Sequence, residues 1–187
     1  MESTTQIYLE MTLEKGGAVL GESGAGGYEN RIDIDGFQFG ASAKKQSLKD
    51  IQKGNVVANL DFERVTVSKV FDRSSLLLAG VLSRHDRFSE AKIAVDQQYV
   101  DPDWAGKVRN EILIVYLYAG YIADIKFRTS EGGKSGASIK EDITLSFHNC
   151  TIYYYAYDGD RSTAGKLGSD YRQETWTFQT DRKMQDD

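Results

Sequence analysis

The amino-acid sequence predicts a mainly β protein, a barrel or a sandwich with one short helix on its flank. Most patterned segments alternate apolar and polar residues with the period of two that half-buried strands show. In the run Val65–Leu82 this pattern changes to helical spacing across a few polar residues. With 187 residues, 40% of them hydrophobic, the chain suits one well-buried core and is short for two. We therefore expect a single domain over residues 1–187, with a polar tail at about 179–187.

The part of the chain before Val56 is expected to hold two strands and two loops. Ile7–Leu13 alternates apolar and polar residues, which is typical of an antiparallel strand with one buried face. Gly16–Gly27 carries six glycines in twelve residues and is expected to be a loop. A second strand covers Ile32–Phe39, where a glycine shifts the phase as a bulge would. Ser42–Asn55 holds four lysines, and polar loops of this length usually have a function or are disordered.

The run Val65–Leu82 predicts a strand that leads into a capped helix. Its strand part is rich in β-branched residues, and one face carries Val65, Val67 and, by the same phase, Lys69. Asp72 or Ser74 can accept a hydrogen bond from a free backbone N–H and so cap the first helical turn. The apolar face of the helix consists of Leu78, Val81 and Leu82.

The remaining segments again have strand character and are separated by turns. The only proline lies in Asp101–Asp103, where it interrupts the strand pattern. Ile112–Tyr118 and Tyr121–Thr129 are interpreted as two strands or as one bulged strand. The other expected strands are Val56–Phe71, Ala91–Tyr99, Ile143–Tyr157 and Tyr171–Phe178, and the expected loops are Ser130–Gly136 and Asp158–Asp170.

Charge and composition exclude several classes of protein. The net charge of -5 argues against a nucleic-acid binder, which needs cations opposite phosphates. The apolar stretch Ile112–Ala123 is far shorter than the roughly 20 residues of a membrane-spanning helix, so we expect no membrane insertion. Met1–Gln6 has neither a basic leader nor an apolar signal core, which predicts no signal peptide. The single cysteine, Cys150, fits folding in a reducing cytoplasm.

No motif in the sequence predicts catalysis, a cofactor or a metal site. Gly133-Lys134-Ser135 lacks the earlier glycine of a phosphate-binding loop, since Arg128 stands there, and Gly24–Gly27 lacks the helix that follows a dinucleotide fingerprint. Asp158–Ser162 has the first ligand spacing of a calcium loop but no glutamate at its last position. We therefore expect a protein that is not an enzyme.

Histidine, cysteine and tyrosine residues are better explained by structure than by catalysis. His148 and Cys150 share a strand face, but their spacing of about 6.6 Å is wide for a thiol and its base, and no third residue orients them. His85 lies near the helix end, where a cation interacts favourably with the helix dipole. Neighbouring residues of the ladder Tyr153–Tyr157 point to opposite faces, so with Trp176 they are assigned to core and interface.

Five segments of the chain, taken together, resemble one known family. They are Gly21–Ser23 after the first strand, Arg31–Gly40 as the second strand, Val67–Ser75 entering the helix, Phe88–Val95 after it, and Glu131–Gly133 with Glu141–Phe147 in the late hairpin. No one of these segments is diagnostic, but their order, over about Ile7–Phe178, resembles that of the haemolysin-coregulated protein (Hcp) family, the tube proteins of the bacterial type VI secretion system.

The resemblance implies a closed antiparallel β-barrel with a flanking short helix that assembles as a homohexameric ring. Rings of this family stack into a hollow tube, which a contractile sheath on a baseplate drives into a target cell behind a spike protein. Its lumen shelters small effector proteins. The chain is then cytoplasmic before firing and is secreted afterwards without a signal peptide. Ring closure would also remove strand edges that otherwise invite uncontrolled pairing.

The sequence departs from the family pattern at a few positions. Leu76 stands where the family commonly has a proline in the first helical turn, and the connections at Gln97–Asn110 and after Tyr157 look longer than usual. Only nine residues follow Phe178, so a fused toxin domain of the extended members is not expected. The competing interpretation is a monomeric ligand-binding β-barrel that uses its tyrosine-rich face, and particle size separates the two.

Two loops are predicted to support the stacking of ring on ring. In Hcp-like tubes an extended loop at the position of Ser42–Asn55 reaches a neighbouring subunit, and here its cations face a protein that is acidic overall. Such exposed pairs contribute about 0 to 1 kcal/mol each and weaken with salt, but they repeat around a ring. The predicted interface residues are Gly21, Glu22, Ser23, Lys44, Lys45, Lys49 and Lys53.

Overall fold

The structure is a computed structural model, and it describes residues 4–43, 60–100, 107–130, 138–157 and 171–179. The lysines of the predicted Ser42–Asn55 loop and the motifs at residues 133–135 and 158–162 lie outside these ranges. The strands that the structure describes are β1 (Thr4–Leu13), β2 (Gly17–Val19), β3 (Ile32–Ile34), β4 (Gly36–Gln38), β5 (Ala41–Ala43), β6 (Leu60–Phe62), β7 (Val65–Val70), β8 (Arg87–Val100), β9 (Lys107–Ser130), β10 (Ser138–Ser146), β11 (Asn149–Tyr157) and β12 (Tyr171–Gln179). The helix it describes is α1 (Arg73–Ser83).

Most of these strands form one antiparallel sheet, in which the strands differ in length. Its strands follow the order β2-β1-β8-β9-β10-β7-β4. Strand β11 pairs with β9 and with β12, β3 pairs with β1, and β5 and β6 form a separate pair. The mainly β class with a flanking helix is therefore confirmed.

The predicted closed barrel is not confirmed, because the order of paired strands ends at β2 and β4. The gap between β1 and β7 is spanned by residues 32–38, whose first part pairs with β1 and whose second part pairs with β7. The crossing point is Asp35, whose backbone N–H donates to the carbonyl of Ser68 at 2.7 Å. β3 and β4 follow each other along one segment and do not pair with each other. The described ladder between β1 and β7 is therefore interrupted at Asp35.

Four sequence predictions change in detail, and one of them is the strand Val56–Phe71, whose described part is divided at Glu63-Arg64 into β6 and β7. The second predicted strand is broken at Asp35 into β3 and β4, and the predicted strand Ile143–Tyr157 is broken at Phe147-His148 into β10 and β11. The Gly16–Gly27 loop contains the short strand β2.

The two segments around Gly120 form the single strand β9, so the alternative of one bulged strand is confirmed. Its register against β10 shifts between Thr144 and Leu145, and Ala119 has a positive φ of 49°. A Cβ at Gly120 would lie 2.2 Å from the Phe88 ring, so only glycine fits this close approach.

The core lies between one face of this sheet and helix α1. Alternate residues of the strands supply it, including Leu9, Met11, Val65, Val67, Ile93, Val115, Ile143 and Leu145. Leu78 and Val81 of α1 are fully buried and Leu82 packs against them, so the predicted helix face is confirmed. Leu76 is 72% exposed, and the first turn forms without the proline of the family pattern.

Candidate functional site

The described part of the predicted interface is a loop between β2 and β3. Gly21 N–H donates to the Asn30 carbonyl at 2.7 Å, Ser23 N–H donates to the Arg31 carbonyl at 3.1 Å, and Asn30 N–H donates to the Ser23 carbonyl at 3.1 Å. These bonds close residues 21–31 into a compact unit, which we call the 21–31 loop. Several of its backbone N–H and carbonyl groups therefore find partners within the loop itself.

Two residues allow the 21–31 loop to close so tightly. A Cβ at Gly21 would lie 2.2 Å from the Arg31 carbonyl oxygen, so the two ends of the loop approach too closely for any side chain. Asn30 has a φ of 66°, a left-handed conformation that asparagine tolerates better than most residues. The shape of the loop is therefore specified by its sequence.

The 21–31 loop is attached to the sheet on the face opposite to the core. The ring of Tyr28 stacks on that of Tyr8, with centroids 4.7 Å apart and planes 10° apart. The guanidinium of Arg31 lies 4.3 Å from the centroid of the Tyr28 ring, a cation–π geometry. Arg31 also forms ion pairs with Glu10 at 3.2 Å and with Glu111 at 3.3 Å. Aromatic stacking and charge therefore hold the loop on strands β1 and β9.

The charges around this attachment are partly removed from water. Lys92 Nζ lies 2.8 Å from Glu111. Burial alone would lower the pKa of Lys92, but the hydrogen bond and charge of Glu111 outweigh it and raise that pKa above its usual value. Burial first, and then the buried carboxylate of Asp96, raises the pKa of Tyr28. The phenol therefore stays neutral at physiological pH and stacks as an uncharged ring.

The 21–31 loop is also attached to the first turn of helix α1. The carboxylate of Glu22 accepts a hydrogen bond from the Arg73 backbone N–H at 3.0 Å. Arg73 Nη2 donates to the side-chain oxygen of Asn30 at 2.8 Å. An acidic side chain at a helix N-terminus satisfies a free N–H and interacts favourably with the helix dipole. Both ends of the loop are therefore linked to one residue of the helix.

A buried ionic network lies beneath this first turn. Lys69 of β7 and Glu141 of β10 are cross-strand partners with no exposed surface, and Lys69 Nζ lies 2.6 Å from Glu141 Oε1. Lys69 Nζ also donates to Asp72 Oδ1 at 2.7 Å and to Ser75 Oγ at 3.1 Å. Ser75 Oγ donates to Glu141 Oε1 at 2.7 Å. The ammonium and its partners therefore join two strands to the helix.

Asp72 is the N-cap of α1 and belongs to the same network. Its side chain accepts from the Ser74 N–H, while the Ser75 side chain accepts from the Asp72 N–H, which completes a capping box. Burial alone would raise the pKa of Asp72, but hydrogen bonds from Lys69 and Ser74 outweigh it and hold that pKa below its usual value. The ionised form of Asp72 therefore stabilises the folded protein.

The sequence indicated only half of this network. Phase placed Lys69 on the inner face of its strand, and the capping pattern predicted Asp72. Glu141 was missed because its partner lies 72 positions away, and an acidic residue in an alternating strand looks solvent-exposed. The one available signal was its phase, which it shares with Ile143 and Leu145 on the core face.

The other residues singled out in the sequence do not form a reactive site. Cys150 is fully buried, and burial raises its pKa to about 12, so it is not present as a nucleophilic thiolate near neutral pH. Tyr116 stacks on Tyr118 at 6.0 Å and meets Tyr153 edge-on at 5.8 Å, so these rings pack against one another. Tyr154 points to the opposite face and is 50% exposed.

A solvent-open cavity of about 730 Å³ lies between β4 and the β9–β11 part of the sheet. Its described lining combines the apolar side chains of Phe37, Phe39, Leu113, Val115 and Ile152 with the polar ones of Gln38, Glu63, Arg64 and Thr66. Tyr116, Tyr118, Tyr153 and Tyr154 are not among its described lining residues. Across the described ranges there is no cluster of three or more His, Cys, Asp or Glu side chains that could hold a metal ion. Those ranges also hold no helix long and apolar enough to cross a membrane.

The fold and the sequence both match known proteins of bacterial secretion. A family model described as "Type VI secretion system effector, Hcp" matches residues 8–154. Among solved structures, one titled as a type six secretion system protein has a TM-score of 0.68 at 19% identity and covers 93% of this chain and 96% of its own. Hcp1 of Salmonella typhimurium has a TM-score of 0.63 at 14% identity, with 94% of both chains covered. No curated protein sequence matches significantly.

A third structure, the secreted protein Hcp3 of Pseudomonas aeruginosa, has a TM-score of 0.61 at 16% identity and covers 95% of this chain and all of its own. These TM-scores show that the chain shares its fold with these proteins. The family match spans most of the chain and goes further. The chain belongs to the Hcp family of the type VI secretion system.

Proposed function

We propose that this chain is a structural tube subunit of the type VI secretion system and has no enzymatic role. The family match over residues 8–154 is the observation that carries this proposal. Six copies close into a ring with a hollow centre. Rings stack into the inner tube, which the sheath and baseplate eject with a spike protein at its tip. Small effector proteins travel in the lumen.

The described geometry supports an assembling protein in two ways. Among the described strands, the order of pairing ends at β2 and β4, and such strand edges are the part of a sheet that closed oligomers cover. The 21–31 loop is held in one shape by its own hydrogen bonds and by its contacts with strands and helix. A preorganised loop loses little conformational entropy when a neighbouring ring docks on it.

We further propose that stacking uses the 21–31 loop, at Gly21, Glu22 and Ser23, together with the lysines of the Ser42–Asn55 loop. Glu22 offers an acidic group next to the helix, and the lysines offer the opposite charge. Contacts between exposed charges weaken with ionic strength, so rings should stay soluble until the machine templates a tube. The protein is then cytoplasmic before firing and extracellular afterwards.

Particle size tests the ring. We expect light scattering to give six times the chain mass of 20.9 kDa, and negative-stain images to show open rings. The monomeric ligand-binding barrel would instead scatter as a single chain. A monomer at micromolar concentration would contradict the tube assignment.

Charge reversal tests the stacking loop. Replacing Lys44, Lys45 and Lys49 by glutamate should abolish tube assembly and secretion while the hexamer and its melting temperature stay nearly unchanged. The expected cause is repulsion between like charges at an exposed contact. If the variant falls apart to monomers, the loop belongs to the contact within a ring, and if it still builds tubes and is secreted, the loop has no role in assembly.

A matched control separates this site from a general effect of charge. Lys15, Arg84 and Lys126 are exposed residues outside the two predicted loops. Reversing these three to glutamate changes the net charge by the same amount. We expect this control variant to form tubes, and equal loss of tubes in both variants would show that net charge alone decides assembly.

A further inference from the structure

The side chains of Lys69 and Glu141 have no exposed surface, yet only two helix-cap residues, Asp72 and Arg73, separate them from the proposed stacking loop. Lys69 Nζ holds Asp72 at 2.7 Å, and Asp72 caps the helical turn that begins at Arg73. The backbone N–H of Arg73 donates to Glu22 at 3.0 Å. A continuous series of short polar contacts therefore runs from the sheet interior to the 21–31 loop.

We infer that Lys69 and Glu141 are positioning residues for the assembly surface: they fix the first turn of α1 on the sheet, and that turn fixes the 21–31 loop. The expected effect on ring stacking rests on the proposed function. The positioning of the loop by Lys69 and Glu141 concerns a single chain and does not rest on it.

Stability alone is a poor explanation of this buried pair. Removing two charges from water is costly, and an apolar pair of similar volume often stabilises a protein as well or better. In addition, Glu141 Oε2 is buried with no hydrogen-bond partner in the described part of the chain, so the pair is not arranged for greatest stability. What the ammonium provides and an apolar side chain cannot is a directed bond to Asp72 and to Ser75.

A second hydrogen bond, from Ser75 to Glu141, also links the first turn of the helix to the sheet. Ser75 Oγ donates to Glu141 Oε1 at 2.7 Å, so the third residue of the helix is bonded to strand β10. Lys69 and Glu141 together hold both polar members of the capping box. Without them the first turn would keep its internal cap but would lose its polar ties to the sheet.

The experiment compares the wild-type protein with Lys69→Met and with Lys69→Met/Glu141→Leu. The single variant leaves a carboxylate buried without its partner and is expected to be strongly destabilised. The double variant fills the same space with apolar side chains and is expected to recover most of the melting temperature. It therefore separates stability from positioning, even if the single variant does not fold.

The matched control is the next cross-strand pair on the same two strands, Ser68 and Asp142, which faces away from the core. In the described part of the chain, the hydrogen bonds and ion pairs of Asp142 go to Ser68 and, at 3.0 Å, to Arg128, and not to the helix turn. Ser68→Val/Asp142→Val therefore alters β7 and β10 equally without touching the network beneath α1. We expect it to leave the 21–31 loop unchanged.

Two measurements decide the inference. Amide hydrogen exchange at Ser23 and Arg73 should accelerate by about tenfold or more in the Lys69→Met/Glu141→Leu variant and not in the control, because local opening of the loop becomes easier. The ring concentration needed for stacking should rise by a similar factor while hexamers persist. Wild-type exchange at both amides in a folded double variant would overturn the inference. If wild-type rings never stack, the proposed function fails, and the exchange rates still decide the positioning role.

Discussion

Replacing Gly21 by alanine tests whether the closed shape of the 21–31 loop matters. The added Cβ would lie 2.2 Å from the carbonyl oxygen of Arg31, 2.5 Å from its carbonyl carbon and 2.6 Å from the Cα of Ile32. All three are backbone atoms, which cannot rotate away as the end of a side chain would. Either the loop or the start of β3 must therefore move.

The size of the effect follows from these distances. A carbon–oxygen contact is normally about 3.3 Å or longer, so the shortfall is about 1 Å. Inserting a methyl group into a site without room usually costs about 1–3 kcal/mol. If the loop moves instead, it loses two backbone hydrogen bonds, that of Gly21 to Asn30 and that of Ser23 to Arg31. Each such bond contributes a net of about 1 kcal/mol to stability. Both routes lead to a destabilisation of about 1–3 kcal/mol.

Urea unfolding followed by fluorescence measures this loss, and the same loop provides its control. A Cβ at Gly24 would meet no atom within 4 Å, so Gly24→Ala should be neutral or slightly stabilising. Gly21→Ala should also reduce ring stacking, whereas Gly24→Ala should not. A loss below about 0.3 kcal/mol for Gly21→Ala, or equal losses for the two variants, would refute the geometry of the loop.

Two further predictions concern the helix. Leu78→Ala should lower the free energy of unfolding by about 2–5 kcal/mol because the side chain is fully buried. Leu76 is 72% exposed, so Leu76→Ala should change that free energy by less than about 0.5 kcal/mol. Similar urea midpoints for the two variants would mean that the buried face of the helix is assigned wrongly. The folded pKa of Asp72 lies below its ordinary 3.8, so its stabilisation is complete above that pH and is lost as pH falls through the lower value. An acid titration of the urea midpoint should therefore fall less steeply for Asp72→Asn than for the wild type, and equal slopes would exclude Asp72 as an acid-sensitive group.

Local patterns predicted the parts of the fold that depend on neighbouring residues. The cap at Asp72 and the buried face at Leu78 and Val81 follow from spacing within one helix, and the structure confirms them. Strand β1 likewise follows from its own alternation. Such features need no knowledge of which segments meet in space.

Contacts between distant segments were the part that the sequence left open. Stacking of Tyr28 on Tyr8 and the ion pair of Arg31 with Glu111 depend on which face the glycine-rich loop covers. Glu141 is buried only because Lys69 of a remote strand lies opposite. The open gap between β1 and β7 similarly arises from a segment that changes partners at Asp35, which no local pattern reveals.

The position of β7 between β4 and β10 has a consequence for the order of folding. Its pairing with β10 joins residues about seventy positions apart, while β9 and β10 are close in sequence and can form a hairpin first. Contacts between distant residues form slowly because closing a long loop costs entropy. Until β7 arrives, the edge of β10 would be open to other chains, and this edge carries the consecutive charges of Lys140, Glu141 and Asp142. Charged residues on an unpaired edge discourage wrong pairing. Glu141, which is buried in the folded chain, is therefore expected to disfavour wrong pairing of β10 before β7 is in place.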